Sequence, residues 1–255
     1  MNNGFVNHEI KNNIAEITFG HPKSNSLPGE ILEKLAQTIL QTGKDAAVKA
    51  ILLKSDGEKA FCAGASFDEL LSIEELDAST KFFGGFAKVL NAMRNCGKLV
   101  IVRVQGKTTG GGVGIACAAD YCFEVENAAM ALTELNLGIG PFVIGPYVER
   151  KIGNSAYAAM SIDADFRSAN WCEKHDVYHS VSPTIAEMDA KLDEFLAALS
   201  ARSTDALALI KKVSWEGTEH FESLMPERIH MSASLILEDS AKQNIEKIKE
   251  RLRAK

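Results

Sequence analysis

The chain has 255 residues, 46% of them hydrophobic and 24% charged, with a formal net charge of −6. This is the composition of a globular protein long enough to bury a large core, and the acidic balance argues against nucleic acid as a partner. No stretch reaches the roughly 18 apolar residues of a membrane span, and the opening Met1, Asn2, Asn3 and Gly4 carry no basic segment leading into an apolar one, so a soluble, cytoplasmic protein that contacts no membrane is expected.

Residues 5–10 and 14–19 read as two strands about the turn-forming Lys11, Asn12 and Asn13. A polar loop follows over 20–26. Pro28 then opens an amphipathic helix, with Ile31, Leu32, Leu35, Ile39 and Leu40 at helical spacing. Residues 48–55 form an apolar strand, 56–66 a loop, 67–95 a helical region and 99–104 another apolar strand. From Gly106 a glycine-rich turn leads into a small-residue helix through Ala119 and a strand over 120–125. Strands that alternate with helices imply right-handed crossovers and largely parallel pairing, an α/β fold. From Ile185 onward the pattern is helical: Leu192, Phe195, Leu196 and Leu199 form one apolar stripe, and residues 206–210 begin another. The Lys/Arg-rich end, 245–255, reads as a solvated helix, a phosphate contact or a subunit contact.

The five cysteines, an odd number without CxxC spacing, fit a reducing compartment, and Cys117 and Cys122 read as core filler. His175 and His179 have helical metal-ligand spacing, but Val177 and Tyr178 between them look strand-like, so no metal is expected. Asp163 and Asp165 read as a turn, lacking the other ligands of a calcium loop. Trp171 and Trp215 read as packing.

Two segments place glycine just after an apolar strand: residues 60–70, containing Ala63, Gly64 and Ala65, and residues 104–116, containing Gly110, Gly111, Gly112 and Gly114. Glycine lets a backbone turn sharply and approach a ligand closely. The helix that follows the second segment offers unpaired N–H groups and the positive end of its dipole, an anion site. No Gly-Lys-Ser/Thr closes a P-loop, and the glycine spacing is not G-x-G-x-x-G. Tight helix–sheet packing alone is the other reading.

Taken together, these segments resemble the enoyl-CoA hydratase/isomerase (crotonase) family. The marks, in order, are residues 17–23, 59–65, 104–112, 116–120, 133–141 and 150–153. The resemblance implies a crotonase-like spiral of ββα units over 1–185 and a helical trimerisation region over 186–255. It implies an acyl-CoA substrate, no separate cofactor because coenzyme A is part of the substrate, and a homotrimer or dimer of trimers.

By motif position, the resemblance carries two oxyanion-holding amides onto Ala65 and Gly111 and an acid/base carboxylate onto Glu134. Lys23, Ala63, Gly64, Gly110 and Gly112 would meet the coenzyme A thioester. Phe86, Pro141 and Phe142 would line the acyl chain. Residues 82–86 fall in a segment that is mobile in the family, and Gly84 and Gly85 would give it hinge freedom. Tyr147 would be a polar contact at the far end of the acyl pocket. A carboxylate among the apolar neighbours of Glu134 should have a raised pKa.

Family hydratases usually carry a further glutamate two residues after the triple glycine, where this chain has Gly114. A single carboxylate suits a proton shuttle, and the pattern matches Δ3-Δ2-enoyl-CoA isomerases. Hydration of a short or branched enoyl-CoA, with Thr108, Thr109 or Asn136 positioning water, and non-catalytic acyl-CoA binding stay open. The family's usual C-terminal aromatic and lysine are replaced over 238–245, which leaves the phosphate contacts unassigned.

Overall fold

The computed structural model describes residues 4–253; residues 1–3, read above for a leader, and 254–255, the end of the basic tail, lie outside the described residues. β1 (Phe5–Lys11) and β2 (Ile14–Gly20) form an antiparallel hairpin. Its turn residues Asn12 and Asn13 both have positive φ, which matches the right-handed twist of the strands. α1 (Gly29–Lys44) buries Ile31, Leu32, Leu35 and Ile39, whereas Leu40, expected on that face, is 38% exposed. β3 (Ala50–Ser55) is followed by β4 (Ala60–Cys62), a strand inside the segment read as a loop. The expected helical region 67–95 divides into α2 (Phe67–Leu70) and α3 (Leu76–Asn95).

The same two-strand step recurs twice: β5 (Leu99–Val104), β6 (Lys107–Thr109) and α4 (Gly111–Cys117), then β7 (Tyr121–Val125) and β8 (Ala129–Ala131). In each step the first strand joins one sheet and the second crosses to another. The remainder is α5 (Gly145–Asp163), β9 (Arg167–Ser168), α6 (Ala169–Lys174), β10 (Ser180–Ser182), α7 (Ile185–Ser200), α8 (Thr204–Ser214), α9 (Phe221–Leu235) and α10 (Asp239–Arg253). One sheet has the order β1-β2-β3-β5-β7-β10, parallel from β2 onward; the other has the order β4-β6-β8-β9, with only β9 antiparallel. This is the expected α/β spiral of ββα units.

The main core lies between the long sheet and helices α1, α3, α4 and α5, and all five cysteines are buried and free. On the other face α7 packs Met188, Leu192 and Leu196 onto Ile14, Leu52, Ile101 and Phe123, the apolar stripe expected for it. α8 is different: Leu207 is buried, but Leu209 and Ile210, expected to join it, are 60% and 56% exposed. α8 is anchored by charge. Lys211 Nζ donates to Asp120 Oδ2 at 2.7 Å and to the Met93 carbonyl at 2.8 Å. Trp215 Nε1 donates to Asp120 Oδ1 at 2.7 Å. Losing one partner of so buried a pair costs several kcal/mol, of order 3–5.

Candidate active site

The carboxyl ends of the parallel strands β4, β6 and β8 lie side by side, with Cys62 registered to Thr108 and Thr109 to Ala131. Such an edge is where parallel α/β sheets place ligands. Each strand runs directly into one of the segments singled out above: Ala63-Gly64-Ala65, Gly110-Gly111, and Thr133-Glu134. They open onto one cavity of about 640 Å³, together with Lys23, Phe82, Phe83, Phe86, Pro141, Phe142 and Ile144.

The glycines owe their places to geometry. Gly64 has φ +82° and Gly110 φ +53°, a region costly for other residues. A Cβ on Gly64 would lie 3.6 Å from the Gly111 amide nitrogen, and one on Gly110 would lie 3.3 Å from Glu134 Oε1. Two glycine turns and one carboxylate therefore converge. A Cβ on Gly111 would strike the Phe86 ring at 2.4–2.5 Å. Gly112, expected at the ligand, instead packs on Cys62, 2.7 Å from its would-be Cβ, and is not on the cavity wall.

The first turn is pinned by the loop before α1. Leu27 pairs with Ala65 in an isolated parallel bridge, its amide donating to the Gly64 carbonyl at 2.8 Å and its carbonyl accepting from Ser66 at 3.0 Å. In a parallel bridge those bonds straddle Ala65 and leave its own amide outside the pair. Gly111 is the first residue of α4, whose initial N–H groups have no partner within the helix. Among the described residues, neither the Ala65 nor the Gly111 amide donates to a backbone carbonyl. Asn25 holds the loop in place, donating to the carbonyls of Asp56 at 2.8 Å and Ala60 at 3.0 Å.

Glu134 opens a 3-10 turn, Glu134–Leu137, rather than ending a strand. Its Oε2 is shut from solvent and has no hydrogen-bond partner among the described residues. Burial pushes its pKa up to about 7, against a smaller opposing pull from its own main-chain N–H. The other carboxylate on the cavity wall, Asp68, is exposed and ion-paired with Lys23 at the mouth.

The Gly114 position has no room for a side chain. A Cβ there would come within 2.7 Å of Ile144 Cγ2 and 3.2 Å of Leu90 Cδ1. The expectation of a hinge at Gly84 and Gly85 is corrected: both lie inside α3, and a Cβ on Gly85 would meet Leu32 Cδ1 at 2.7 Å. Tyr147 is also corrected: it is buried in the core, donating to Asn91 Oδ1 at 2.7 Å, and does not reach the cavity. Of the residues offered for water, Asn136 lines the cavity, whereas Thr108 is buried and donates to the Gly106 carbonyl at 3.2 Å. Leu90 and Asn25 carried no signal in the sequence, because their roles arise from contacts across the fold. Among the described residues no cluster of three His, Cys, Asp or Glu side chains forms a metal site, and no helix is long and apolar enough to cross a membrane.

The comparisons agree with this architecture. The enoyl-CoA hydratase from Bacillus halodurans superposes with a TM-score of 0.88 over 95% of this chain and 99% of its own, at 19% identity. An enoyl-CoA hydratase from Mycobacterium avium gives 0.84 over 96% of each chain at 22% identity. At such identities the likeness shows the fold. The carnitinyl-CoA dehydratase of Escherichia coli (strain K12) is 35% identical over 130 residues, 50% of this chain and 48% of that one, so the chain spans about half the length of this relative. A family model described as enoyl-CoA hydratase/isomerase matches residues 9–255, and the chain belongs to that family.

Proposed function

We propose that the protein acts on an acyl-CoA thioester and moves a double bond along its acyl chain, a Δ3-Δ2-enoyl-CoA isomerase-type reaction. The carrying observation is that, among the described residues, Glu134 is the one carboxylate on the cavity wall with an oxygen shut from solvent, beside two glycine turns, while Ile144 and Leu90 fill the space at Gly114. In this reading the amides of Ala65 and Gly111 hold the thioester oxygen. Ionised Glu134 takes a proton from C2 of a 3-enoyl thioester, and the electron pair becomes an enolate on the held oxygen. The same carboxyl group returns the proton at C4, leaving the double bond between C2 and C3 and the enzyme unchanged. A base with a pKa near 7 suits both halves of this transfer. Fixed amide donors are worth about 10²–10³ in rate each.

Lys23, at the mouth, would meet the coenzyme A phosphates, with Ala63, Gly64 and Gly110 along the thioester arm. Phe86, Pro141 and Phe142 would hold the acyl chain. The protein would work as a trimer or a pair of trimers in the cytoplasm.

Hydration of a short or branched enoyl-CoA is the second reading, favoured by Asn136 on the cavity wall, which could hold a water. An NMR incubation with a panel of acyl-CoAs in D₂O separates the readings. Isomerisation appears as a migrated double bond with deuterium at C2 or C4. Solvent ¹⁸O in a 3-hydroxyacyl product would favour hydration instead. Tight binding with no proton exchange for any chain would leave only a binding protein.

A further inference from the structure

A second cavity, of about 490 Å³, adjoins the first. Phe142 lines both. So does one face of α9: Leu224 and Arg228 line the second cavity and Ser232, one turn on, lines the first. Positions four apart share a helix face, so the two spaces are consecutive along a single wall. Tyr157 lines the second cavity, and its hydroxyl donates to the carbonyl of Pro141, on the wall of the first, at 3.4 Å. Burial holds its phenol above the usual range; the Glu134 charge adds to that and the Arg228 charge opposes it.

The two chambers differ in chemistry. The first is walled chiefly by phenylalanine and aliphatic side chains beyond Glu134, whereas the second contains two arginines. Arg150 is already committed: its guanidinium lies 4.1 Å over the Trp215 ring and donates to the Ser214 carbonyl. Arg228 is not. Its Nη1 reaches only Met231 Sδ, at 3.8 Å, and its Nε is shut from solvent without a partner. Among the described residues no carboxylate lies within ion-pair distance of it. The cavity's own acids, Glu149 and Glu216, are exposed at its rim. A guanidinium that no protein carboxylate pairs can take one from a ligand in a charge-assisted bond.

We propose that the second cavity receives a carboxylate carried at the far end of the acyl chain, bound by Arg228, so that the substrate class is an enoyl thioester of a dicarboxylic acid. The chain would pass Phe142 with its thioester in the first cavity. This rests on the acyl-thioester reading of that cavity.

The test compares coenzyme A thioesters of equal length, one ending in methyl and one in carboxylate. Affinity is read by calorimetry with the saturated forms, and kcat/KM with the 3-enoyl forms. Wild type should prefer the carboxylated member by about tenfold or more, the scale of a charge-assisted hydrogen bond. In Arg228→Gln that ratio should collapse to about one, with partial recovery in Arg228→Lys, which keeps the charge but not the fork. Equal affinity for the two thioesters in wild type would overturn the subsite alone, as would an Arg228→Gln variant that weakens both by the same factor. Failure of either thioester to bind would overturn the thioester reading and the subsite with it.

Discussion

Glu124 and Glu134 make an instructive pair. Glu124 sits on β7 in the long sheet, registered to Val104 on one side and Val181 on the other, and is fully buried. Both its oxygens lack partners among the described residues, and burial drives its pKa well above the carboxylate range. Glu134 lies just beyond β8 of the short sheet, with one oxygen similarly shut away and its pKa raised by the same cause. Desolvation alone does not tell them apart. Space does: Glu134 borders a cavity of about 640 Å³, and neither of the cavities described above reaches Glu124. A perturbed carboxyl group is a functional candidate only where a second molecule can reach it.

The most severe test of that contrast is Glu134→Gln. Turnover of the preferred thioester should fall by about 10³-fold, within the range for loss of a single acid/base group, while calorimetry shows coenzyme A thioester binding near normal. Activity retained in this variant would remove Glu134 from the chemistry and erase the distinction.

The pH profile sharpens it. Glu134 must be ionised to accept a proton, so kcat/KM should fall about tenfold per unit below its pKa and level off above a pH of about 7. Stability runs the other way. A carboxyl whose folded pKa is raised stabilises fully below its ordinary value, and that contribution disappears as pH rises through about 7. Thermal melts of Glu134→Gln should lose this decline, which in wild type is complete just above a pH of about 7.

A smaller effect is expected at Gly114. Gly114→Ala places a methyl group 2.7 Å from Ile144 Cγ2. Overpacking of this kind costs about 1–3 kcal/mol, or about 2–4 °C in Tm per kcal/mol for a chain near this size. Shortening the neighbour, Ile144→Ala, in the same chain should recover part of the loss. An unchanged melting temperature in the single variant would mean that the site has room for a second acid after all.

Least is expected from Glu124→Gln. Glutamine closely matches a protonated glutamate, so turnover should stay as in wild type, and so should the melting temperature at acid pH, below the ordinary carboxylate range. As pH rises above that range the unfolded wild-type carboxyl ionises while burial holds the folded one protonated, so the variant should melt higher. Lost turnover at neutral pH would show that Glu124 also takes part in function.

The residues on β4, β6 and β8 show why some of this was readable in the sequence and some was not. The long strands β3 and β5 are continuous apolar runs and announce themselves. Their partners in the short sheet are three residues each, too short for any periodicity to show, so β4 vanished into a loop. The glycine segments that follow them were legible, because a positive φ, as at Gly64 and Gly110, favours one residue type. The hinge reading of Gly84 and Gly85 failed for the complementary reason: glycine also serves where a neighbour, here Leu32, leaves no space for a side chain. Tyr147 and Gly112 were misplaced because an order along the chain does not say which side of an element a residue faces.

By itself, the sequence determined the order of the longer strands and helices, the family likeness and a single acid beyond the triple glycine. These are local facts, set by periodicity, turn chemistry and residue type. Only the tertiary structure decided that Ile144 and Leu90 close off Gly114, that Phe86 covers Gly111, and that Arg228 waits beyond Phe142. Those relations join residues far apart in the chain, and packing in three dimensions creates them.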